Sequence, residues 1–417
     1  MNRACVALLL ASLAAPVDAT TLDDAIAAAL AHDPSITIAD AGREAAGGRV
    51  TQAKSAGLPT VTVRGSLGYG RLDPQGFFGL GGANVTPLTA QASIEQPLFS
   101  GGRVAAAVAQ ARAGLAVAEA GRINARGDLA AAVADAYGNV LTSTIMVASW
   151  QRLLAQTSEI ERQARLRYKA GESPDTEVAQ ASARLAEARG GLAGAEGAVA
   201  AARAHYRNLV GDDPLDLAPL PAGPPAPPTL DEAVALAAHN SAGIAQAEAG
   251  LAGARAASRG ARAERLPTVG AFAEAGRVSD QFFPDYRANA ATVGVRANWQ
   301  LYNGGRVAGR ITETNAEVRV AEARLRAARQ QVEEQVVTLF QGLRTAQLIA
   351  IAAADQARAS EQARISVAHE VRVGMKPQFD LLDAEREAIA STARAAQADA
   401  ARVTTAYRLS AALGRED

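Results

Sequence analysis

Between residues 60 and 69 apolar and polar side chains alternate. Val61, Val63, Leu67 and Tyr69 fall on one face, and Thr60, Thr62, Arg64 and Ser66 on the other. The pattern recurs over 88–98, where Leu88, Ala90, Ala92, Ile94 and Leu98 oppose Thr89, Gln91, Ser93 and Glu95. It recurs again over 291–301, where Ala291, Val293, Val295, Ala297, Trp299 and Leu301 oppose Thr292, Arg296, Asn298 and Gln300. The stretch 268–277 alternates weakly, with Ala271, Ala273 and Ala275 against Phe272 and Glu274. Period two over ~10 residues predicts strands with lipid on one side and water on the other. An ordinary antiparallel sheet with one wet face has the same period.

Elsewhere the pattern is helical, and proline marks its limits. None of the 17 prolines lies between Leu98 and Ser173, between Asp285 and Lys376, or between Gln378 and the C-terminus. Proline is excluded from helix interiors because it lacks an N–H and clashes with the preceding turn. The proline-free tracts are rich in Ala, Arg, Glu, Gln and Leu, which favour helix, and predict helices at 102–170, 174–209, 305–373 and 377–412. At ~1.5 Å per residue the longest would extend on the order of 100 Å, a length that suits a coiled coil. Leucine heptads are absent, so alanine at the seams predicts small-residue contacts and close helix spacing.

The chain repeats itself. Leu22-Asp23-Asp24-Ala25 returns 208 residues later as Leu230-Asp231-Glu232-Ala233, and Leu58-Pro59-Thr60-Val61 returns at the same offset as Leu266-Pro267-Thr268-Val269. At an offset of 203, Leu98-Phe99-Ser100-Gly101-Gly102-Arg103-Val104 returns as Leu301-Tyr302-Asn303-Gly304-Gly305-Arg306-Val307, and Gly171 and Pro174 return as Gly374 and Pro377. Each half reads helix, strand, loop, strand, long helix, tight turn, helix. Thr229-Leu230-Asp231-Glu232 resembles a capping box, and Thr21-Leu22-Asp23-Asp24 resembles one less well. Seven prolines between Pro214 and Pro228 predict an extended, semi-rigid linker. The expected organisation is residues 1–19 as an export signal, 20–211 as the first repeat, 212–229 as linker and 230–417 as the second repeat.

Composition narrows the choice. Apolar residues make up 49% and aromatics only 4%, and the formal net charge is −1, so no nucleic-acid partner is implied. Arg3, the apolar run Val6 to Ala15 and Val17-Asp18-Ala19 read as a signal with its cleavage site; a buried N-terminal helix is the alternative. Cys5, the only cysteine, lies inside that signal, so neither a lipid anchor nor a disulfide is expected. No later segment has ~18 consecutive apolar residues, so a membrane crossing would have to use strands. Four strands cannot close a barrel, since bacterial barrels begin at about eight; a membrane reading therefore requires oligomerisation. Tyr69, Phe99, Trp299 and Tyr302 sit at strand ends, as interfacial aromatics do, and Phe77-Phe78 and Phe282-Phe283 occupy matching loops.

Over its whole mature length the chain resembles the TolC-type outer-membrane efflux protein family. The residues that carry the resemblance are the duplication, Gln96-Pro97-Leu98-Phe99-Ser100-Gly101-Gly102-Arg103, and two helix-turn signatures. These are Arg167-Tyr168-Lys169-Ala170-Gly171 with Pro174-Asp175-Thr176-Glu177, and Val371-Arg372-Val373-Gly374 with Phe379-Asp380-Leu381-Leu382-Asp383-Ala384. The resemblance implies an α+β membrane protein: long antiparallel coiled-coil hairpins, and four strands contributed to a trimeric 12-stranded barrel. It implies a homotrimer in the outer membrane extending into the periplasm, in contact with outer-membrane lipid, a periplasmic adaptor (membrane fusion) protein and an inner-membrane transporter, with no cofactor.

Glycine at the left-handed end of a helix and proline in the first turn of the next suit hairpin tips at Gly171, Glu172, Ser173 and Pro174 and at Gly374, Met375 and Pro377. The resemblance makes these tips the adaptor-docking entrance. Asp380 and Asp383, three residues apart, share a helix face. The resemblance places them at the pore constriction, where threefold symmetry would stack two acidic rings; acids in a first helical turn also complement the helix dipole. Lys376, Glu177 and Thr176 match gate positions, with Lys376 and Glu177 holding neighbouring tips closed. Gly101, Gly102, Arg103 and Gly304, Gly305, Arg306 mark the barrel-to-tunnel turns.

Two other functions compete. His32, His205, His239 and His369 are scattered, and Gly79-Leu80-Gly81-Gly82 has neither a P-loop lysine nor Rossmann spacing, so an enzyme is not expected. A periplasmic coiled-coil adaptor or scaffold would share the hairpins but has no need of two copies of amphipathic strands. Within the duct reading, protein secretion by a three-component system and multidrug efflux use the same conduit, and the cargo is left open.

Overall fold

The computed structural model describes residues 19–73, 82–281 and 285–415. The expected signal up to residue 18, Phe77-Phe78 and Phe282-Phe283 lie outside the described residues. The chain forms two compact units, and each draws on both sequence halves. One comprises the residues up to Ile36 with Ala125–Ala237 and Glu334 onward, and the other Thr37–Asn124 with Ala238–Glu333.

The element order repeats. Helices α1 (Leu22–His32) and α2 (Pro34–Ser55) precede β1 (Thr60–Leu67), a short hairpin of β2 (Gly70–Leu72) and β3 (Ala83–Val85), β4 (Leu88–Phe99), α3 (Arg103–Lys169) and α4 (Asp175–Val210). The second round gives α5 (Leu230–Asn240), α6 (Ala242–Ala263), β5 (Thr268–Ser279), β6 (Arg287–Asn298), α7 (Arg306–Arg372) and α8 (Gln378–Ala412). The four long helices lie within a residue or so of the proline-bounded expectation.

Three local expectations are corrected. The first helix of each half is two helices. Asp33 precedes Pro34, whose ring disfavours a helical residue before it, and Asp33 is extended (φ −67°, ψ 129°); the second copy breaks at Ser241 without a proline. The reciprocal capping box forms at Thr21, where Thr21 Oγ1 accepts from the Asp24 N–H and Asp24 Oδ2 accepts from the Thr21 N–H, both at 3.2 Å. Thr229 accepts only the Glu232 N–H, at 3.2 Å. Strand β6 runs over 287–298 rather than 291–301, because Trp299 leaves the ladder and its indole N–H donates to the Arg265 carbonyl at 3.0 Å.

That indole bond has a twin. Gln96, the counterpart of Trp299, donates to the carbonyl of Gly57, the counterpart of Arg265, also at 3.0 Å. The hydroxyls of Thr60 and Thr268 likewise donate to the carbonyls of Glu95 and Asn298, at 3.4 and 3.3 Å. Different side chains thus make equivalent contacts in the two halves.

The helical unit is built on a narrow apolar core. Leu22, Ala25, Ile26 and Ala29 recur at helical spacing on α1 and pack with Val133, Ala134 and Tyr137 of α3, Tyr206 and Val210 of α4, and Val403 of α8. Burial of Leu22 or Ile26 stabilises by about 2 kcal/mol each. The expected small-residue seams are present: a methyl group on Gly127 or Gly138 of α3 would meet Ala411 Cβ or Ala400 Cβ of α8 at 2.7 Å. The linker is strapped down rather than free. Tyr137 Oη lies 2.8 Å from the Thr20 carbonyl and 2.6 Å from that of Ala218. Arg402 Nη2 donates to the Pro221 carbonyl at 3.0 Å, and Arg415 Nη1 to that of Pro225 at 2.7 Å.

The other unit carries a four-stranded antiparallel sheet in the order β1-β4-β5-β6. Its register collects Val61, Val63 and Leu67 with Leu88, Ala90, Ala92 and Ile94, with Ala271, Ala273 and Ala275, and with Ala291, Val293 and Val295 on one face. The weak alternation of β5 is thereby explained. Phe272 belongs to the polar face, where its ring covers Gly294 directly opposite and lies 4.6 Å beneath the Arg296 guanidinium. Pro97, which has no N–H for a ladder, sits past the end of the β1 pairing and next to a bulge between Pro97 and Phe99.

Candidate functional site

Three features of the chain stand out: the bare sheet, the strand-to-helix turns and the hairpin tips. Among the described residues the sheet has two unpaired edges, β1 and β6, and its apolar face is uncovered. Val63 is 76% exposed and Val293 84%. Open edges and an open apolar face are unstable in water.

At the two strand-to-helix turns, Gly101 (φ +62°) and Gly102 (+87°) match Gly304 (+64°) and Gly305 (+84°). Two consecutive left-handed residues turn the chain sharply, and glycine adopts them without a Cβ penalty. Ser100 Oγ accepts the Val104 N–H and Asn303 Oδ1 accepts the Val307 N–H, both at 3.4 Å. Arg103 bonds locally to the Ser100 carbonyl at 3.2 Å, while Arg306 reaches Glu264 at 3.1 Å.

At both tips the first helix ends in a Schellman motif. Gly171 (φ +76°) donates to the Tyr168 carbonyl and Glu172 to that of Arg167, while Gly374 (+77°) donates to Val371 and Met375 to Glu370. Pro174 and Pro377 are the N-cap residues of α4 and α8 rather than their first helical residues. Glu172, Pro174, Thr176, Met375 and Pro377 are exposed, and Ser173 is half-buried.

The charged residues at the tips also have partners within the chain. Within one chain Lys376 pairs with Glu370 at 2.8 Å, and Glu177 with Arg167 at 3.8 Å. Glu370, and more weakly Asp380, hold the Lys376 ammonium above its ordinary pKa. Asp383 closes a ring of alternating charge between α4 and α8. It lies 3.8 Å from Arg184 and 3.9 Å from Arg386, and Glu187 pairs with the same two arginines. Asp380 is exposed and has no ion pair within the chain among the described residues. Within one chain the two acids, read from sequence as two stacked rings, thus differ in their partners.

Sequence reasoning missed a buried network nearby. Glu385 of α8, whose side chain is 8% exposed, accepts from Arg364 of α7 and from Gln156 of α3, both at 2.9 Å. Arg364 also grips Glu361 with two bonds of 2.8 Å, which keeps the Glu361 carboxyl below its usual pKa. The i, i+3 spacing of Glu361 and Arg364 was visible in the sequence, but nothing there distinguished Glu385 from a solvated acid.

A sequence model of the family described as outer membrane efflux protein matches residues 25–212 and 233–415. The outer membrane efflux protein BepC of Brucella suis biovar 1 (strain 1330) is 28% identical over 404 residues, spanning 95% of this chain and 85% of that protein. The outer membrane protein VceC of Vibrio cholerae superposes with a TM-score of 0.77 at 21% identity, over 94% of this chain and 96% of its own. The CmeC outer membrane channel of Campylobacter jejuni superposes with a TM-score of 0.80 at 14% identity, over 94% and 85%.

Proposed function

Because the chain belongs to the outer membrane efflux protein family, we propose that it is a passive exit duct, one protomer of a trimer that receives cargo from an inner-membrane transporter through a periplasmic adaptor. The family is one of outer-membrane channels extending into the periplasm, and its function is efflux. The observation that carries the finer reading is the sheet, which has an apolar face, a polar face and two free edges. Three copies joined β6 to β1 would pair every edge and form a barrel of twelve strands, lipid outside and water inside. Other uncovered surface suits the same assembly. Helix α7 has a long apolar stretch of which only 22% is buried within the chain. Its Leu348, Ile349 and Ile351 are exposed, and a neighbouring copy would cover them.

The tips at Gly171–Pro174 and Gly374–Pro377 are the periplasmic entrance and the adaptor-docking surface in this reading. Convergence of three protomers brings the acids of α8 together. Asp383 arrives already compensated by Arg184 and Arg386, so Asp380 supplies the principal acidic ring and sets cation preference. On closing, Lys376 exchanges Glu370 for the neighbouring protomer's Glu177, next to Thr176. The same duct serves efflux of small molecules and protein secretion by a three-component system.

Single-channel recording in a planar bilayer tests the gate. Asp380→Asn should abolish most cation selectivity and block by multivalent cations, with Asp383→Asn having the smaller effect. Unchanged selectivity in the double variant would reduce both residues to helix-terminal acids. A water-soluble monomer in the periplasmic fraction would overturn the duct reading altogether.

A further inference from the structure

The two faces of the sheet differ in their charges as well as their polarity. The polar face carries both signs, Arg64 and Arg296 with Glu95 and Glu274, and Arg296 is satisfied by Glu274 at 3.4 Å and by the Phe272 ring. The apolar face carries no carboxylate in β1, β4, β5 or β6. Its only charges are Arg277 and Arg287. Both lie at the end of the sheet farthest from the strand-to-helix turns. Arg277 stands opposite Asn289 and Arg287 opposite Ser279, which makes the arginines diagonal neighbours on adjacent strands, about 7–8 Å apart at the backbone.

Neither guanidinium makes an ion pair or hydrogen bond among the described residues, and both residues are exposed. On the β4 side Arg277 faces Ala90. The following turn holds two acids, Asp280 and Asp285; the Asp280 carboxylate accepts the Asp285 N–H at 2.8 Å, and among the described residues neither acid pairs with Arg277 or Arg287. Strand β1, which would close on β6 from the next copy, contains no acid. From Val269 to Arg277 is eight residues, ~26 Å along the strand at ~3.3 Å each. A tilt of ~40° reduces that to about 20 Å of depth, close to the height of the apolar band of such barrels. Arg277 and Arg287 thus fall where hydrocarbon gives way to headgroups in the outer leaflet.

We propose that Arg277 and Arg287 form a binding site for the phosphate of an anionic lipid headgroup, repeated three times around the outward rim of the barrel. Two guanidinium groups with no counter-ion among the described residues, set at the edge of an apolar surface, match a phosphate tethered to acyl chains. Each guanidinium can present two N–H donors to phosphate oxygens, and Asn289 offers another beside them. This site rests on the membrane-barrel reading of the sheet.

The test uses the full chain as a detergent-solubilised oligomer, titrated with phosphatidylglycerol or phosphatidylcholine while its melting temperature is followed. Phosphatidylglycerol should raise the melting temperature at lower concentration than phosphatidylcholine. The Arg277→Gln/Arg287→Gln variant should lose apparent affinity for it on the order of tenfold to thirtyfold, with the phosphatidylcholine response unchanged. Arg277→Lys/Arg287→Lys should restore part of the loss, and Arg64→Gln on the polar face should have no effect. Inorganic phosphate at millimolar concentration should not substitute. Equal response to both lipids, or an unaltered response in the glutamine variant, overturns the site. Conductance of the same preparations in planar bilayers reports on the barrel separately. If wild type and glutamine variant both conduct normally and neither distinguishes the two lipids, the lipid site is refuted and the channel stands.

Discussion

The identical Gly-Gly-Arg-Val turns in the two halves should not tolerate alanine equally. At Gly101 and Gly304 the backbone is left-handed, with φ of +62° and +64°, and an L-residue there costs roughly 1–2 kcal/mol. At Gly304 that is the whole cost, because an added Cβ would meet no atom within 4 Å. At Gly101 the added Cβ would lie 2.7 Å from Leu266 Cβ and 3.0 Å from the Ala263 carbonyl oxygen. Carbon–carbon contacts are optimal near ~3.5–4.0 Å, so the α6–β5 turn must shift, at a further cost of about 1–3 kcal/mol. Gly101→Ala should therefore destabilise by about 2–5 kcal/mol and Gly304→Ala by about 1–2 kcal/mol. Asparagine separates the two terms, since it tolerates the left-handed region but carries a Cβ. Gly304→Asn should behave nearly as wild type, while Gly101→Asn remains impaired. The assay is the temperature at which the detergent-solubilised oligomer dissociates on a gel, at matched protein concentration. Equal shifts for the two alanine variants, or rescue of Gly101 by asparagine, would refute the steric argument.

Burial holds the Tyr137 hydroxyl at a pKa of about 12 against an ordinary 10.0, so the folded state binds that proton more tightly than the unfolded one. Its contribution is complete below about pH 10 and is lost as pH rises toward 12; an alkaline melting series should show that loss, and Tyr137→Phe should lack it while melting lower at neutral pH by about 1 kcal/mol. Glu385→Ala leaves Arg364 with only Glu361 and Gln156 without its partner, so the helical unit should lose about 3 kcal/mol in a denaturant melt; a change under ~0.5 kcal/mol would mean the network is solvated. Lys376→Glu places a carboxylate beside Glu370 and Asp380, and open probability in a planar bilayer should rise, whereas Lys376→Arg should stay closed; identical gating in both variants would exclude Lys376 from the lock.

The features legible in the sequence are those that local chemistry decides. Proline exclusion and alanine-rich composition delimited α3, α4, α7 and α8, and glycine followed by proline marked both tips, because helix interiors and helix ends depend on residues within one or two turns. The repeat of Leu-Pro-Thr-Val and Gly-Gly-Arg-Val was visible because it is a comparison of the chain with itself. Period-two alternation identified β1 and β4, but β5 read as irregular until its partners were known. Phe272 is tolerated on the polar face because Gly294 lies opposite and Arg296 above, residues brought there only by strand pairing. The same dependence on distant partners moved the limits of β6, where Trp299 is drawn off the ladder by the Arg265 carbonyl. It tied the proline-rich linker to Arg402 and Arg415. It separated Asp383, compensated by arginines of α4 and α8, from Asp380, three residues away and without an ion pair among the described residues. Alanine spacing forecast close helix seams without saying which helices meet, since small side chains permit many neighbours. The choice of α3 against α8, through Gly127 on Ala411 and Gly138 on Ala400, was made by the tertiary packing, where a single added methyl group would leave no room.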